Sequence, residues 1–181
     1  MKIIMLKCGE VIGLPVVCAD NGKKIGTVKD IMYNTETREI KALVLGRRGM
    51  DREPKAVMFG DILSLGTGAV VVSNRKCAGG IKKASAEGDG FMTRDMRRLR
   101  IYSKAGEDIG FAEDILFDDK TGMIEGIEVS DGLFRDIIGG RRILPLIGRV
   151  EFGEDNILVE RKAVEEMAST GGGVKKRFLG G

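Results

Sequence analysis

The sequence predicts an all-β protein made of two small β-barrels in tandem, with a short C-terminal helix. Three observations lead to this fold class: the chain repeats itself, glycine is frequent, and short apolar runs alternate with turn residues. Of the 181 residues, 27 are glycine and 3 are proline. Glycine readily adopts the positive φ that tight turns need, so this composition suits a chain with many short strands.

The repeat is visible without a gap over a long stretch of the chain. The segment 22–31 recurs at 106–115, an offset of 84 residues, and the match continues to Val129. From Gly66, which matches Gly153, the offset is 87 residues, so the second copy has three extra residues in its middle loop. Glycines, an aspartate and apolar positions stay in step throughout, which indicates an internal duplication.

Each copy reads as a series of strands separated by turn signals. In the first copy the strands are predicted at 16–20, 25–33, 40–45, 56–59, 62–65 and 69–73. Asn21-Gly22 predicts a type I′ hairpin turn. Six short strands with regular turns are typical of a small barrel or sandwich, and helical periodicity is confined to 161–169.

These elements predict the domain organisation. The first barrel is expected at 1–77, a glycine-rich flexible linker at 78–91, the second barrel with its helix at 92–169, and a flexible basic tail at 170–181. Residues kept in both copies are interpreted as fold-defining: Gly22, Gly26 and Asp30, with Gly106, Gly110 and Asp114.

Asp30 and Asp114 are the carboxylates that both copies retain. They could form a catalytic pair, but each is predicted in the middle of a strand with no acid–base partner at a matching position. The pattern favours a structural role, in which each accepts hydrogen bonds from backbone N–H groups of a neighbouring turn.

The composition removes several classes of catalyst. The chain has no histidine, so Ser-His-Asp triads, Cys-His pairs and His-ligated zinc are excluded. Cys8, Cys18 and Cys77 form no C-x-x-C pair and are odd in number, which favours buried reduced thiols over a disulfide framework. Segment 118–122 lacks the ligand pattern of a calcium loop, and 22–26 opens no phosphate-binding helix. We expect no catalytic residue, no cofactor and no metal, and hence a protein that is not an enzyme.

The apolar runs are too short for export or membrane insertion. Only four apolar residues separate Lys2 from Lys7, fewer than the core of a signal peptide requires. No segment reaches the length of a membrane span. Together with the reduced thiols, this predicts a cytoplasmic location and no membrane insertion.

Charge divides unequally between the halves. Residues 1–91 carry 15 basic and 10 acidic side chains, whereas residues 92–181 carry 15 and 17. Four basic pairs are candidates for an RNA footprint, namely Arg47-Arg48, Lys82-Lys83, Arg97-Arg98 and Arg141-Arg142. Few aromatic residues are present for base stacking, and the acidic second half would repel phosphate, so scattered solvated charge is the favoured interpretation.

The pattern Val16-Val17, Gly22, Ile25-Gly26, Val28, Asp30 and Leu43-Val44 resembles the PRC-barrel family. The resemblance covers about residues 11–74 and 97–160. The second copy departs upstream, where Arg97-Arg98-Leu99-Arg100 stands in place of Gly13-Leu14-Pro15-Val16. The family includes the cytoplasmic barrel of the photosynthetic reaction centre H subunit and the C-terminal domain of a ribosome maturation factor, so the resemblance implies a fold more than a function.

The combined expectation is a non-catalytic binding or adaptor protein whose partner is another protein. The loops 46–55 and 130–142 differ between the copies and are the predicted contact regions. Candidate partner-binding residues are Arg47, Arg48, Met50, Leu133, Phe134, Arg141 and Arg142. The alternative, implied by the maturation-factor relative, is ribosome maturation or RNA processing with RNA or a ribosomal protein as partner. Barrels this small also have reason to pack on each other or in a homo-oligomer.

Overall fold

A computed structural model of the protein describes residues 4–46, 49, 53–85, 90–130 and 142–169. The elements up to residue 85 are β1 (Met5–Lys7), α1 (Cys8–Val11), β2 (Pro15–Cys18), β3 (Lys24–Asn34), β4 (Glu39–Leu45), β5 (Lys55–Met58), β6 (Ile62–Leu65), β7 (Val70–Val72), β8 (Ala78–Gly80) and α2 (Ile81–Ser85). Those after it are β9 (Gly90–Met92), α3 (Thr93–Met96), β10 (Arg100–Ser103), β11 (Asp108–Asp118), β12 (Ile124–Ser130), β13 (Arg142–Pro145), β14 (Glu151–Phe152), β15 (Asn156–Val159) and α4 (Arg161–Ser169). Short 3-10 turns lie at Phe59–Asp61 and Arg75–Cys77.

The strands form two sheets, one for each copy of the repeat. The first runs in the order β6-β7-β2-β3-β4-β5-β8, and the second in the order β13-β12-β11-β10-β15-β14. In both, the first hairpin strand pairs in parallel with the last strand of its copy, β2 with β7 and β10 with β15. The predicted all-β fold class, with two tandem barrels and a short C-terminal helix, is confirmed.

The two copies correspond more closely than a single offset suggests. The connection between β2 and β3 spans residues 19–23, whereas that between β10 and β11 spans 104–107, one residue fewer. The offset is therefore 85 before this connection and 84 after it. The upstream departure of the second copy becomes smaller, because Gly13 corresponds to Arg98 rather than to Arg97, and Leu14 then matches Leu99 and Val16 matches Ile101.

The predicted type I′ turn at Asn21-Gly22 is wrong in detail. Gly22 has a φ of 68°, but Asn21 is not in the positive-φ region. Asn21 instead accepts a hydrogen bond at Oδ1 from the backbone N–H of Lys23, 2.9 Å away. The hydrogen bond to the Asn21 side chain stabilises the turn without a positive φ at Asn21, and the connection is longer than that of a two-residue type I′ hairpin.

Each sheet receives one strand from the other half of the chain. The N-terminal strand β1 pairs antiparallel with β11 of the second copy, with Leu6 opposite Phe117. Strand β9, which leads into the second copy, pairs in the same way with β3 of the first, with Phe91 opposite Tyr33. We call β1–α1 and β9–α3 the exchanged arms. The exchange means that neither half of the chain builds its sheet alone.

The predicted linker at 78–91 is corrected by this arrangement. Residues 78–80 are strand β8, paired with β5, and 90–91 begin the exchanged strand β9. Between them, helix α2 packs with Ala84 buried against β4 and β5. The small residues at 78–80, which predict a flexible connection, form a paired strand instead. The predicted boundaries therefore separate residues that the structure pairs.

An approximate twofold axis relates the halves. It passes near an isolated β-bridge between Glu39 and Met123, which are equivalent residues of the two copies. The backbone hydrogen bonds on either side are reciprocal: Ile40 N–H donates to the Gly122 carbonyl and Ile124 N–H to the Arg38 carbonyl, each 2.8 Å long. One main hydrophobic core runs through both halves and includes buried residues of the first arm, Cys8 and Val11, and of the second, Met96.

Candidate binding groove

The second copy carries a polar groove, and the described residues of the first copy form no groove of the same chemistry. Its volume is about 460 Å³. The described residues that line it are Arg97, Arg98, Glu113, Asp114, Glu128, Val129 and Ser130. They come from the turn after α3 and from the facing ends of β11 and β12, where the register of the two strands shifts at Asp114. We call this concavity the charged groove.

Asp114 and its equivalent Asp30 fix the exchanged arms to the sheets. Asp114 accepts hydrogen bonds from the Gly9 N–H of the first arm, at 3.2 Å to Oδ1 and 3.0 Å to Oδ2. A Cβ on residue 9 would lie 2.5 Å from Asp114 Oδ2, so glycine is what allows the carboxylate this close to the backbone. The wall of the charged groove is thus held by the opposite half of the chain.

Asp30 makes the same type of contact with the second arm. Its Oδ1 accepts a hydrogen bond from Thr93 Oγ1 at 2.7 Å and from the Arg94 N–H at 3.4 Å. Its Oδ2 lies 3.3 Å from Arg94 Nε, an ion pair that is not aligned as a hydrogen bond. These contacts agree with the structural role predicted for both aspartates, with the difference that the donors lie in the other half of the chain.

The surroundings of Asp114 shift its proton affinity. Burial raises the pKa of the Asp114 carboxyl, and the nearby charge of Glu128 raises it further. The N–H groups of Ile115 and Gly9 and the guanidinium of Arg97 act in the opposite direction, but burial outweighs them. The Arg97 guanidinium is 3.8 Å from Asp114 Oδ2, a loose pair on the open side of the groove.

Glu128 is the second buried carboxylate of the groove, with a side chain only 4 % exposed. Its Oε2 pairs with Lys7 Nζ of the first arm at 2.9 Å. At the equivalent positions of the first copy, Val44 and Met92 belong to an apolar cluster that α2 covers. An ion pair in the second copy therefore replaces apolar packing in the first.

Arg98 has an unusual backbone conformation. Its φ is 73°, in the left-handed region that favours glycine, and the equivalent Gly13 has a φ of 96°. The two residues make the same anchoring bond, because Arg98 N–H donates to Ala112 and Gly13 N–H to the equivalent Val28, each at 2.8 Å. The second copy therefore has an arginine where the fold prefers a residue without Cβ.

The rim of the groove has also diverged. Ser130 Oγ donates to Glu113 Oε1 at 2.5 Å across the ends of β11 and β12. At the same place in the first copy, the stem of Lys29 lies over Gly46, and a Cβ on that glycine would be 2.9 Å from Lys29 Cε. The space left open in the second copy is occupied by a lysine stem in the first.

These comparisons define the site. The lining residues differ from their first-copy equivalents at five of the seven positions by a charge or a hydroxyl: Arg97 for Ile12, Arg98 for Gly13, Glu113 for Lys29, Glu128 for Val44 and Ser130 for Gly46. Asp114 is shared with Asp30, and Val129 replaces Leu45. A sequence comparison at a constant offset of 84 residues does not identify this set of residues. It aligns Arg98 with Leu14 and therefore does not show that Arg98 replaces Gly13, a glycine with a positive φ.

Of the predicted partner-binding residues, the structure describes only Arg142. Arg47, Arg48, Met50, Leu133, Phe134 and Arg141 lie outside the described residues, as does the tail at 170–181. Arg142 is described, and it corrects the expectation of a residue presented to a partner. It begins β13 opposite Val129 and is buried, because its backbone belongs to the sheet rather than to a loop.

The thiols are separate from this polar chemistry. All three cysteines are free. Cys8 is buried in the main core, and burial, reinforced by the charge of Asp114, raises the pKa of its thiol well above the usual value. Such a thiol stays protonated at neutral pH and packs as a small apolar side chain.

Two further properties concern metals and membranes. Within the described ranges, no three or more Cys, Asp or Glu side chains cluster in a way that could hold a metal ion. None of the helices in this part of the chain is long and apolar enough to cross a membrane.

Comparison with known proteins agrees with the duplicated architecture. A relative in Bacillus subtilis (strain 168), "Uncharacterized protein YrrD", is 26% identical over 155 residues, covering 84% of this chain and 86% of that protein. The family model described as "PRC-barrel domain" matches twice, at residues 4–76 and 88–165. Both matches begin with an exchanged arm, so the family unit includes the strand that crosses to the other half. On this evidence the chain belongs to the PRC-barrel domain family, in a tandem form.

Proposed function

We propose that the protein is a non-catalytic cytoplasmic binding or adaptor protein, and that the charged groove is where it contacts a protein partner. One observation carries this proposal. The two halves share their backbone plan, yet five of the seven residues that line one concavity of the second half differ from their first-copy equivalents by a charge or a hydroxyl.

The chemistry of the groove supports binding rather than catalysis. Asp114 is engaged by Gly9, Ile115 and Arg97, and its contacts hold the arm in place. Glu128 is paired with Lys7. Carboxylates held in this way position the scaffold, whereas a general base needs an accessible lone pair directed at a substrate.

The groove favours protein over RNA as the partner. The basic pair Arg97-Arg98 lies in it, but Glu113, Asp114 and Glu128 line the same space. The phosphodiester backbone of RNA would meet three carboxylates in that space, and the resulting repulsion would offset the attraction of the two arginines. A protein surface can present donors to the carboxylates and acceptors to the arginines. Ribosome maturation or RNA processing is therefore the alternative that the experiment below distinguishes.

Site-directed photo-crosslinking tests the proposal. A benzophenone amino acid is placed at Ser130, on the groove rim, and in a matched variant at the exposed Thr121, on a turn away from it. Both variants are expressed in the native cells, irradiated, and purified with and without nuclease treatment. We expect nuclease-resistant protein adducts from position 130 that position 121 does not give.

Two results would contradict the proposal. Identical adducts from both positions would mean that the groove has no special role in contact. If the adducts at position 130 disappear on nuclease treatment, the partner at the groove would be RNA rather than protein.

A further inference from the structure

The charges of the groove are not equally available to a ligand. Asp114 and Glu128 are buried, and each has a cationic or N–H partner from the arms or the adjoining turn. Arg97 faces Asp114. Arg97, Arg98 and Glu113 are exposed at the opening, with Glu113 beside Ser130, and Arg97 differs from Arg98 in having Asp114 as an ion-pair partner.

Arg98 is the arginine of the charged groove that is available to a ligand. Its side chain lines the groove and is exposed, and it forms no ion pair with any residue that the structure describes. The left-handed backbone is unfavourable for a residue with a Cβ, and the first copy avoids this with Gly13. An arginine in this conformation, whose side chain lies in a concavity and whose first-copy equivalent is glycine, is a candidate for binding through that side chain.

The chemistry around Arg98 selects among anions. A guanidinium presents two parallel N–H donors that match a carboxylate. Phosphate would also fit the fork, but it carries more negative charge and three acceptor oxygens into a space that Glu113, Asp114 and Glu128 already line. A single carboxylate meets less repulsion, and the exposed Glu113 can accept an N–H from the peptide that carries it.

We propose that the charged groove binds a carboxylate side chain in an acidic segment of the partner protein, and that Arg98 is the residue that holds it. This inference rests on the proposed function, because it names the chemistry of the partner at the same site. Lys7 and Gly9 of the first arm support the groove wall behind the ligand and are positioning residues. The specificity belongs to the second copy, since the first has Gly13 at this position.

A peptide titration tests this assignment on the full chain. The probe is a synthetic heptapeptide with one central glutamate among alanine, glycine and serine residues, and the matched probe has glutamine in its place. Binding is followed by two-dimensional amide NMR at low ionic strength, with the amides of Arg98 and Ser130 as reporters. Inorganic phosphate and an oligouridine are titrated under the same conditions.

The variants are Arg98→Gly, Arg98→Lys and, as a control for charge, Arg75→Gln at an exposed arginine outside the groove. We expect the glutamate peptide to bind wild type at least about tenfold more tightly than it binds Arg98→Gly, as loss of a charge-assisted pair predicts. Arg98→Lys should be intermediate because it keeps the charge and loses the fork. Arg75→Gln should match wild type.

Equal binding of the glutamate and glutamine peptides would overturn the proposal, as would affinity unchanged in Arg98→Gly. Stronger binding of phosphate or oligouridine at the same amides would also overturn it. These failures are distinguishable from failure of the proposed function, because adducts at position 130 would still show a protein partner at the groove.

Discussion

At the scale of single residues, Asp30 and Asp114 link the two halves of the chain. Each is buried at a register shift in the long hairpin strand, and each accepts hydrogen bonds from the start of the other half's arm. The carboxylate satisfies several donors at once, and an amide or hydroxyl could not replace all of these contacts. This explains why both copies keep an aspartate there.

Asp30→Ala should lower the free energy of unfolding by about 1–3 kcal/mol, because it leaves buried donors without acceptors. Asp95→Ala on α3, the helix whose Thr93 and Arg94 donate to Asp30, is the control, since the Asp95 side chain is 68% exposed and should change stability little. Urea denaturation of the two variants measures both values. A variant Asp30→Ala that keeps wild-type stability but loses its partner would mean that the aspartate serves binding instead.

Asp114 should make stability depend on pH in a defined direction. Its pKa is raised by burial, so the folded protein binds this proton more tightly than the unfolded chain does. The stability that Asp114 contributes is therefore greatest near and below the ordinary aspartate value of 3.8, and it falls as the pH rises through the raised pKa. Compared with the variant Asp114→Asn, the wild-type protein should lose free energy of unfolding as the pH is raised from about 4 through the raised pKa of Asp114.

NMR titration of the Asp114 side-chain carboxyl carbon checks the origin of this effect. Arg97→Gln should raise the pKa further, because the Arg97 guanidinium lowers it in wild type. A midpoint at or below 3.8 in wild type would contradict the account of burial as the larger cause.

Arg98 and Gly13 form a matched pair for backbone strain. Arg98→Gly should raise the free energy of unfolding by about 1 kcal/mol, since it removes a Cβ from the left-handed region. Gly13→Ala should lower it by a similar amount, and nothing lies within 4 Å of the Cβ it would add, so only the backbone is tested. If thermal unfolding shows Arg98→Gly to be the less stable protein, the strain argument is wrong.

Sequence reasoning reached part of this residue-level picture. The structural role of the aspartates followed from their position in a strand without an acid–base partner. Arg98 was visible only as half of a basic pair, because its significance depends on a one-residue difference in the hairpin connection upstream of β11. Glu128 gave no local signal, since its partner Lys7 is far away in the chain.

At the scale of elements, the exchanged arms are the main feature that the sequence did not predict. Each arm is a strand of three residues and a helix of four, too short for periodicity to identify. Their pairing with the opposite sheet is a long-range contact, which local patterns do not encode. The longer strands and helix α4 were predicted to within a residue or two, because alternation or amphipathic spacing marks them over enough length.

Deletion of residues 1–7 should loosen the second sheet rather than the first. Strand β1 pairs with β11, with Lys7 opposite Leu116 and Met5 opposite Asp118. Hydrogen–deuterium exchange should therefore speed up at 116–118 in the truncated protein, while the equivalent residues 32–34, paired with β9, keep their protection. The opposite pattern would show that the N-terminal strand belongs to its own half.

At the scale of the whole molecule, the duplication has produced a symmetric scaffold with an asymmetric surface. The aspartates, the arms and the reciprocal bonds around Glu39 and Met123 are shared by both halves. Apart from Asp114, the residues that line the charged groove differ between the halves. On the first-copy sheet, apolar residues of β4, β5 and β9 are covered by α2, whereas at the positions equivalent to Met92 and Val44 the second copy has the ion pair of Lys7 and Glu128. The first half thus has apolar packing at these positions, and the second half carries the groove that we propose as the contact surface.

A groove-reversion variant tests the central claim most directly. It combines Arg98→Gly, Glu113→Lys and Ser130→Gly, the residues that the first copy has as Gly13, Lys29 and Gly46, so the shared backbone is known to accept them. Partner proteins that co-purify with tagged wild type and with this variant from the native cells are quantified by mass spectrometry after nuclease treatment. The account predicts a variant that unfolds at or above the wild-type temperature and loses the partner by tenfold or more. A variant that unfolds normally and retains its partner at the wild-type level would contradict the claim that the charged groove is the binding site.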